Sequence, residues 1–205
     1  MDTMALARDE RTDFAELLAG LTPEQWDAPT LCVGWRVREV VAHVYSYEDL
    51  GWLGLAARMA RTGFNVDRAN AAGVADHAAK DPRELTDLAR SHLRPTGLTS
   101  MLGGRIALTD GMIHQQDIRR PLGLPRSIPD ERLAAALDTA RIAPTIEGAK
   151  RVKGLRLVAT DLDWSHGRGD EVRGTGEALL LAIAGRRGIA EELEGPGVRT
   201  LAARA

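Results

Sequence analysis

The sequence predicts a mainly α-helical chain with a small α+β part at its C-terminal end. Three observations carry this. Over the first 150 or so residues, apolar side chains recur at helical spacing and are punctuated by cap signals. After about residue 150 the pattern changes to alternation broken by glycine-rich turns. Alanine is plentiful and aromatic residues make up only 4% of the 205 residues, which favours helices over sheets.

The elements follow in order. Residues 4–20 place Leu6, Phe14, Leu17, Leu18 and Leu21 roughly on one side of a helix. Thr22-Pro23-Glu24 is a cap with proline at the first helical position, so a short helical turn carries Trp26. The stretch "DAPTLCVGW" (27–35) reads as a loop. A long helix from about 36 to 61 is apolar on most sides and calls for burial between other helices. Residues 62–80 form a crossover with room for a short helix, and Asp81-Pro82-Arg83-Glu84 starts the next helix, ending near Arg94-Pro95. Another helix spans about 100–120 and is stopped by Pro121 and Gly123. Pro129-Asp130-Glu131 opens one more, fading near Pro144. "LRLVATD" (155–161), "DWSHG" and "EVRGT" read as three short strands, and 176–193 as an amphipathic helix. The domain reading is a helical bundle over 1–150 and a small α+β domain of about three strands and a helix over 151–205.

Composition narrows the partners. Twenty-seven basic and 29 acidic residues give a net charge of −2. This leaves no basic field for nucleic acid or an anionic membrane. No apolar run reaches the roughly 20 residues of a membrane helix. The opening residues lack the apolar segment of a signal peptide, and Cys32 is the only cysteine, so a cytoplasmic location is expected.

The segment "TDGMIHQQDIRR" (109–120) carries the chemistry. On a helical wheel Leu102, Ile106 and Ile113 mark one flank of an apolar arc, and Ala107 and Ile118 the other. Asp110, His114 and Asp117 fall between the flanks, while Arg105, Gln115, Gln116 and Arg119 fall on a solvent-like side. A buried carboxylate needs a partner, because desolvating its charge costs several kcal/mol. A divalent metal is one such partner, since Asp and His at i, i+4 reach one ion from a single helix. His43, in the long helix, is the candidate third ligand, with Glu48 in reserve. The other reading is a hydrogen-bonded core histidine oriented by its neighbouring aspartate. Asp117 is read as a partner of a ligand or of an arginine, and Cys32 as a packing residue. His77, His92 and His166 are read as surface residues. Arg120 and Arg186 are candidate anion-binding residues for catalysis, Arg119 a solvated helix end. Asn65, Arg68 and Asn70 lie where a pocket wall could form.

Three stretches share a wider pattern: "LTPEQWDAPTLCVGWRVREVVAHV", "LTDGMIHQQDIRRPLGLPRSIPDERL" and "WSHGRGDEVRGTGEALLLAIAGR". Together they resemble the maleylpyruvate isomerase family of mycothiol-dependent, DinB-like metalloproteins of actinobacteria, over about residues 5–200. The resemblance implies a DinB-like four-helix bundle holding a divalent metal, usually zinc, followed by a small sterol-carrier-protein-like domain. By motif position the ligands it implies are His43, Asp110 and His114, with aspartate standing where characterised relatives can carry glutamate. It further implies mycothiol as cofactor or cosubstrate, a small electrophilic or unsaturated organic substrate, and isomerase or S-transferase activity. Isomerase and transferase members share the same ligand pattern; the alternatives are a non-catalytic metal-binding or stress-response protein of the same fold, a thiol-independent metal-assisted hydrolase, and a helical regulatory module with no metal.

Overall fold

The computed structural model describes residues 2–205, which divide into two compact units parting between Pro125 and Arg126. The sequence pattern had placed the boundary near 150. The difference lies in helix α8 (Asp130–Ala140), which packs on α10 (Gly176–Ile183) of the second unit. Gly176 makes that contact close: a side chain there would meet Leu133 of α8 and Leu162 within 3 Å.

The first unit is a helical bundle. Helices α1 (Thr3–Ala19), α3 (Val37–Tyr45), α6 (Pro82–Ser91) and α7 (Arg105–Arg119) form a ring of four, in which α1 and α3 each pack on both α6 and α7. Between them lie the short α2 (Pro23–Trp26), α4 (Trp52–Arg61) and α5 (Val66–Ala75). Phe14, Leu18, Trp26, Val37, Val40, Val41, Tyr45, Leu85, Ala89 and Ile118 form one continuous apolar core. Helix starts follow the cap signals. Thr22 and Gln25 form a capping box at α2, and Asp81 and Glu84 another at α6.

Three departures from the sequence reading locate the site. The helix expected over 36–61 is broken: α3 stops at Tyr45, and α4 begins only at Trp52. Glu48, in the intervening turn, faces inward. Its carboxylate is buried and accepts from Arg11 Nη2 and Thr99 Oγ1, each at 2.5 Å, and from the Thr96 backbone N–H at 2.9 Å. Glu48 therefore serves an internal ion pair, not the metal candidates. The helix expected from 100 starts at Arg105, after a 3₁₀ segment (Gly97–Gly104) in which Leu102 has φ +55° and is exposed. Leu102 thus does not mark the apolar arc. Gly104, at φ +84°, lets α7 begin against α1, because a side chain there would press on Met4 and Ala7 at 3.2–3.3 Å. Finally, α7 has no solvent side near its middle. Gln115 and Gln116 are buried, and Gln115 donates to the Glu10 carbonyl (3.0 Å) and carboxylate (2.7 Å) on α1.

The second unit carries strands β1 (Leu155–Ala159), β2 (Ser165–Gly167) and β3 (Asp170–Gly174) in the order β2-β1-β3, with β1 antiparallel to β2 and parallel to β3. Leu157 and Val172 sit in register, and both are buried on one face of the sheet. The helix expected over 176–193 ends at Ile183, where Gly185 (φ +76°) turns the chain. Short helices α9 (Gly148–Val152) and α11 (Val198–Ala202) complete the unit. No helix among the described residues is long and apolar enough to cross a membrane.

Breaking a buried ion pair from one side leaves an uncompensated charge, at a cost of about 3–5 kcal/mol. Glu48→Ala is therefore expected to lower unfolding free energy by about that amount, measured in urea. The paired replacement Arg11→Met with Glu48→Leu is expected to lose less than Glu48→Ala alone.

Candidate metal centre

The centre is built where α3 and α7 face each other. α3 is buried almost all round, with Val37, Val40 and Val41 fully covered, so its one imidazole, His43, is carried into the bundle. Asp110 and His114 stand one turn apart on α7. His114 Nε2 lies 3.5 Å and His43 Nε2 3.8 Å from Asp110 Oδ1, and one ligand atom from each of the three lies within 4.8 Å of the others. These separations are too long for good hydrogen bonds. They are close to the spacing of about 3.3 Å between donors that each sit about 2.0–2.1 Å from one tetrahedral zinc ion. The two imidazoles meet edge to face, 4.9 Å between centroids. Both histidines are buried, and the Asp110 side chain remains 35% exposed, so the cluster opens on the Asp110 side.

A further set of groups grips the rings from behind. His114 Nδ1 lies 2.8 Å from Asp117 Oδ2, and Asp117 is fully buried. A proton on Nδ1 shared with that carboxylate leaves Nε2 as the free lone pair facing Asp110, the carboxylate–histidine arrangement found behind metal ligands. Cys32 Sγ donates to the same Oδ2 at 3.0 Å. Trp35 stacks at a tilt on His43, 5.1 Å between centroids, and Tyr47 meets His43 edge-on at 6.3 Å. Tyr47 Oη donates to Asn70 Oδ1 at 2.7 Å, and the Arg58 guanidinium lies over its ring. The donor chemistry, two nitrogens and one oxygen with an open side, suits a divalent ion of the zinc type.

Electrostatics in the metal-free cluster follow from this packing. Burial works against both charges, but opposite charges at close range outweigh it. Asp110 is held well below the usual carboxylate range by His114 and His43. His114 is raised well above the ordinary histidine value, first by the nearby Asp110 charge and then by its contacts with Asp117 and Cys32.

The sequence candidates sort as follows. His43, Asp110 and His114 come together, with Asp117 behind them. Glu48 does not join them. His92 is not a surface residue: its side chain is 14% exposed, and its ring bonds Asp49 at 3.1 Å and the Leu88 carbonyl at 3.0 Å. Asn65 caps α5, Arg68 is exposed, and only Asn70 of that group comes to the Tyr47 side of the centre. Arg120 stands at the C-terminal end of α7. Arg186 belongs to the second unit, where it donates to the Ala184 carbonyl and lines a cavity of about 190 Å³. Sequence reasoning missed the roles of Cys32 and Trp35. Their signal was the loop "PTLCVGW" directly ahead of the histidine helix: Trp35 meets His43 of that helix, whereas no spacing rule connects Cys32 to a helix more than 70 residues on.

Fold and site together define a helical-bundle protein with a two-histidine, one-carboxylate cluster between facing helices. Residues 7–97, within the helical unit, match the family model of the mycothiol maleylpyruvate isomerase N-terminal domain, in line with the resemblance read from the sequence motifs. No curated protein matches the chain. Among solved structures, the crystal structure of the mycothiol-dependent maleylpyruvate isomerase aligns with a TM-score of 0.61 at 17% identity, covering 94% of this chain and 91% of that one. A mutant of that enzyme aligns with a TM-score of 0.55 at 15% identity, with the same coverage. At these identities the likeness speaks for the fold.

A pH prediction follows for the metal-free protein. The contribution of Asp110 is present above the ordinary carboxylate value of about 3.9 and is lost as pH falls through its depressed value. That of His114 is present below the ordinary histidine value of about 6.5 and is lost as pH rises through its raised value. The stability difference between wild type and Asp110→Asn, measured by urea unfolding after chelation, should be greatest between about pH 4 and 6.5 and shrink on both flanks. A difference independent of pH would contradict this assignment of charges.

Proposed function

We propose that this protein is a metal- and mycothiol-dependent isomerase, with His43, Asp110 and His114 as the ligands of a divalent ion, zinc being the best match to the donor set. The observation that carries this reading is the convergence of those three donors, with His114 Nδ1 already engaged by Asp117. When bound, such an ion supplies a positive charge that favours the thiolate form of a thiol at neutral pH, giving a nucleophile able to add reversibly to an activated double bond.

The chain's own residues provide the rest. Asp117 keeps the His114 lone pair on the open side, and Trp35 and Tyr47 hold the His43 ring in place. The partly exposed face of Asp110 leaves access for a thiol and a small unsaturated acid. Cys32 is not required as a nucleophile on this reading, because its sulfur is engaged with Asp117 behind the ligands. The family description and the names of the structural neighbours support isomerisation as the reaction. S-transfer would use the same thiolate and differ in that the thiol stays on the product.

The test measures turnover of maleylpyruvate with and without mycothiol, on protein as purified, after chelation, and after zinc is restored. Turnover is expected only with both thiol and metal, and His114→Ala is expected to lose it together with bound metal. Activity that persists without any thiol would replace this reading with metal-assisted hydrolysis or another thiol-free reaction. A retained thiol on the product would assign transfer instead of isomerisation.

A further inference from the structure

We propose that Cys32 is a positioning residue of the metal centre, acting through Asp117 on His114. The inference rests on the reading that His43, Asp110 and His114 hold a metal, and it adds a residue to that site.

The geometry is a closed triangle. Asp117 Oδ2 accepts from Cys32 Sγ at 3.0 Å and lies 2.8 Å from His114 Nδ1, and the sulfur lies 3.7 Å from that same nitrogen. Asp117 is fully buried, so its orientation is set by its bonds and packing, not by water. The loop that carries Cys32 is fixed to the same residue by its backbone, since Leu31 N–H donates to the Asp117 carbonyl at 3.1 Å. The loop is also internally tied. Thr30 Oγ1 accepts from Cys32 N–H at 3.1 Å, and the Cys32 carbonyl accepts from Trp35 N–H at 3.0 Å. Trp35, three residues on, presses on the other candidate ligand ring, His43. One six-residue loop, 30–35, thus braces both imidazoles: one through a thiol and a carboxylate, the other through an indole.

The consequence is specific to the thiol as a donor. Removing it takes one constraint from the carboxylate that aims His114, and losses of this kind behind a ligand typically cost 10–100-fold in metal affinity. A thiol is a weak donor, so the low end of that range applies. A residue acting by packing alone would be replaced well by valine, which is close in size, and badly by serine. A residue acting as a donor gives the reverse order.

The experiment is zinc affinity by competition with a chromophoric chelator, on the full chain, for wild type, His43→Ala, Cys32→Val, Cys32→Ser and Asp117→Ala. Cys32→Val should weaken zinc about tenfold, and Cys32→Ser should stay nearer wild type than valine does. Adding Cys32→Val to Asp117→Ala should cost nothing further, because the effect passes through the carboxylate. The absorption spectrum of the cobalt-substituted protein, recorded without added thiol, should show no sulfur-to-cobalt charge-transfer band. Wild-type affinity in Cys32→Val, or serine worse than valine, would overturn the inference and leave the metal reading standing. A charge-transfer band that disappears in Cys32→Ser would overturn it differently, by making Cys32 a ligand. If wild type and His43→Ala bind zinc alike, the metal reading itself fails, and this inference with it.

Discussion

The structure depends on one constraint: α7 is buried on nearly every side, yet it carries Asp110, His114, Gln115, Gln116 and Asp117 in its middle turns. Apart from the partly exposed Asp110, each of these polar groups has to be matched inside the bundle, because an unmatched one costs about 1–3 kcal/mol and more if charged. The matching runs in two directions. Toward α1, Gln115 bonds Glu10. Toward α3 and the 27–35 loop, the aspartates and His114 find His43 and Cys32. The relative placement of α1, α3 and α7 is therefore specified by polar pairing as well as by apolar packing.

A second buried polar set, Arg11 with Glu48, Thr96 and Thr99, does comparable work just past the C-terminal end of α3. It ties the turn after α3 to α1 and to the segment that leads into α7. The effect on the metal centre is indirect. It anchors the turn that follows the histidine-bearing end of α3 and the segment that precedes α7.

Much of this was readable from the residues. The caps at Thr22 and Asp81 and the three short strands fell where local chemistry put them. The pairing of Asp110 with His114 follows from helical spacing alone, and His43 stood out as the one imidazole on an apolar helix. What escaped was non-local. The wheel gave α7 a solvent side at Gln115 and Gln116, because glutamine reads as polar until a carboxylate such as Glu10 is known to face it. The run from 36 to 61 read as one helix, because nothing local shows that Glu48 turns inward to Arg11, 37 residues away. The compact units part earlier than the boundary read near 150 for a related reason: α8 has an ordinary amphipathic pattern, and only its packing on α10 says which unit it serves. Cys32 read as a packing residue because a thiol's partner is set by the fold and not by its neighbours in sequence.

The central claim is that two imidazoles and one carboxylate from facing helices share a cation. Zinc-edge X-ray absorption of the zinc-loaded protein, without added thiol, tests it most directly. The account predicts one zinc per chain, with two imidazoles and oxygen or nitrogen donors at about 2.0–2.2 Å, and no sulfur at about 2.3 Å. Sulfur in that first shell, fewer than two imidazoles, or no retained zinc would contradict it.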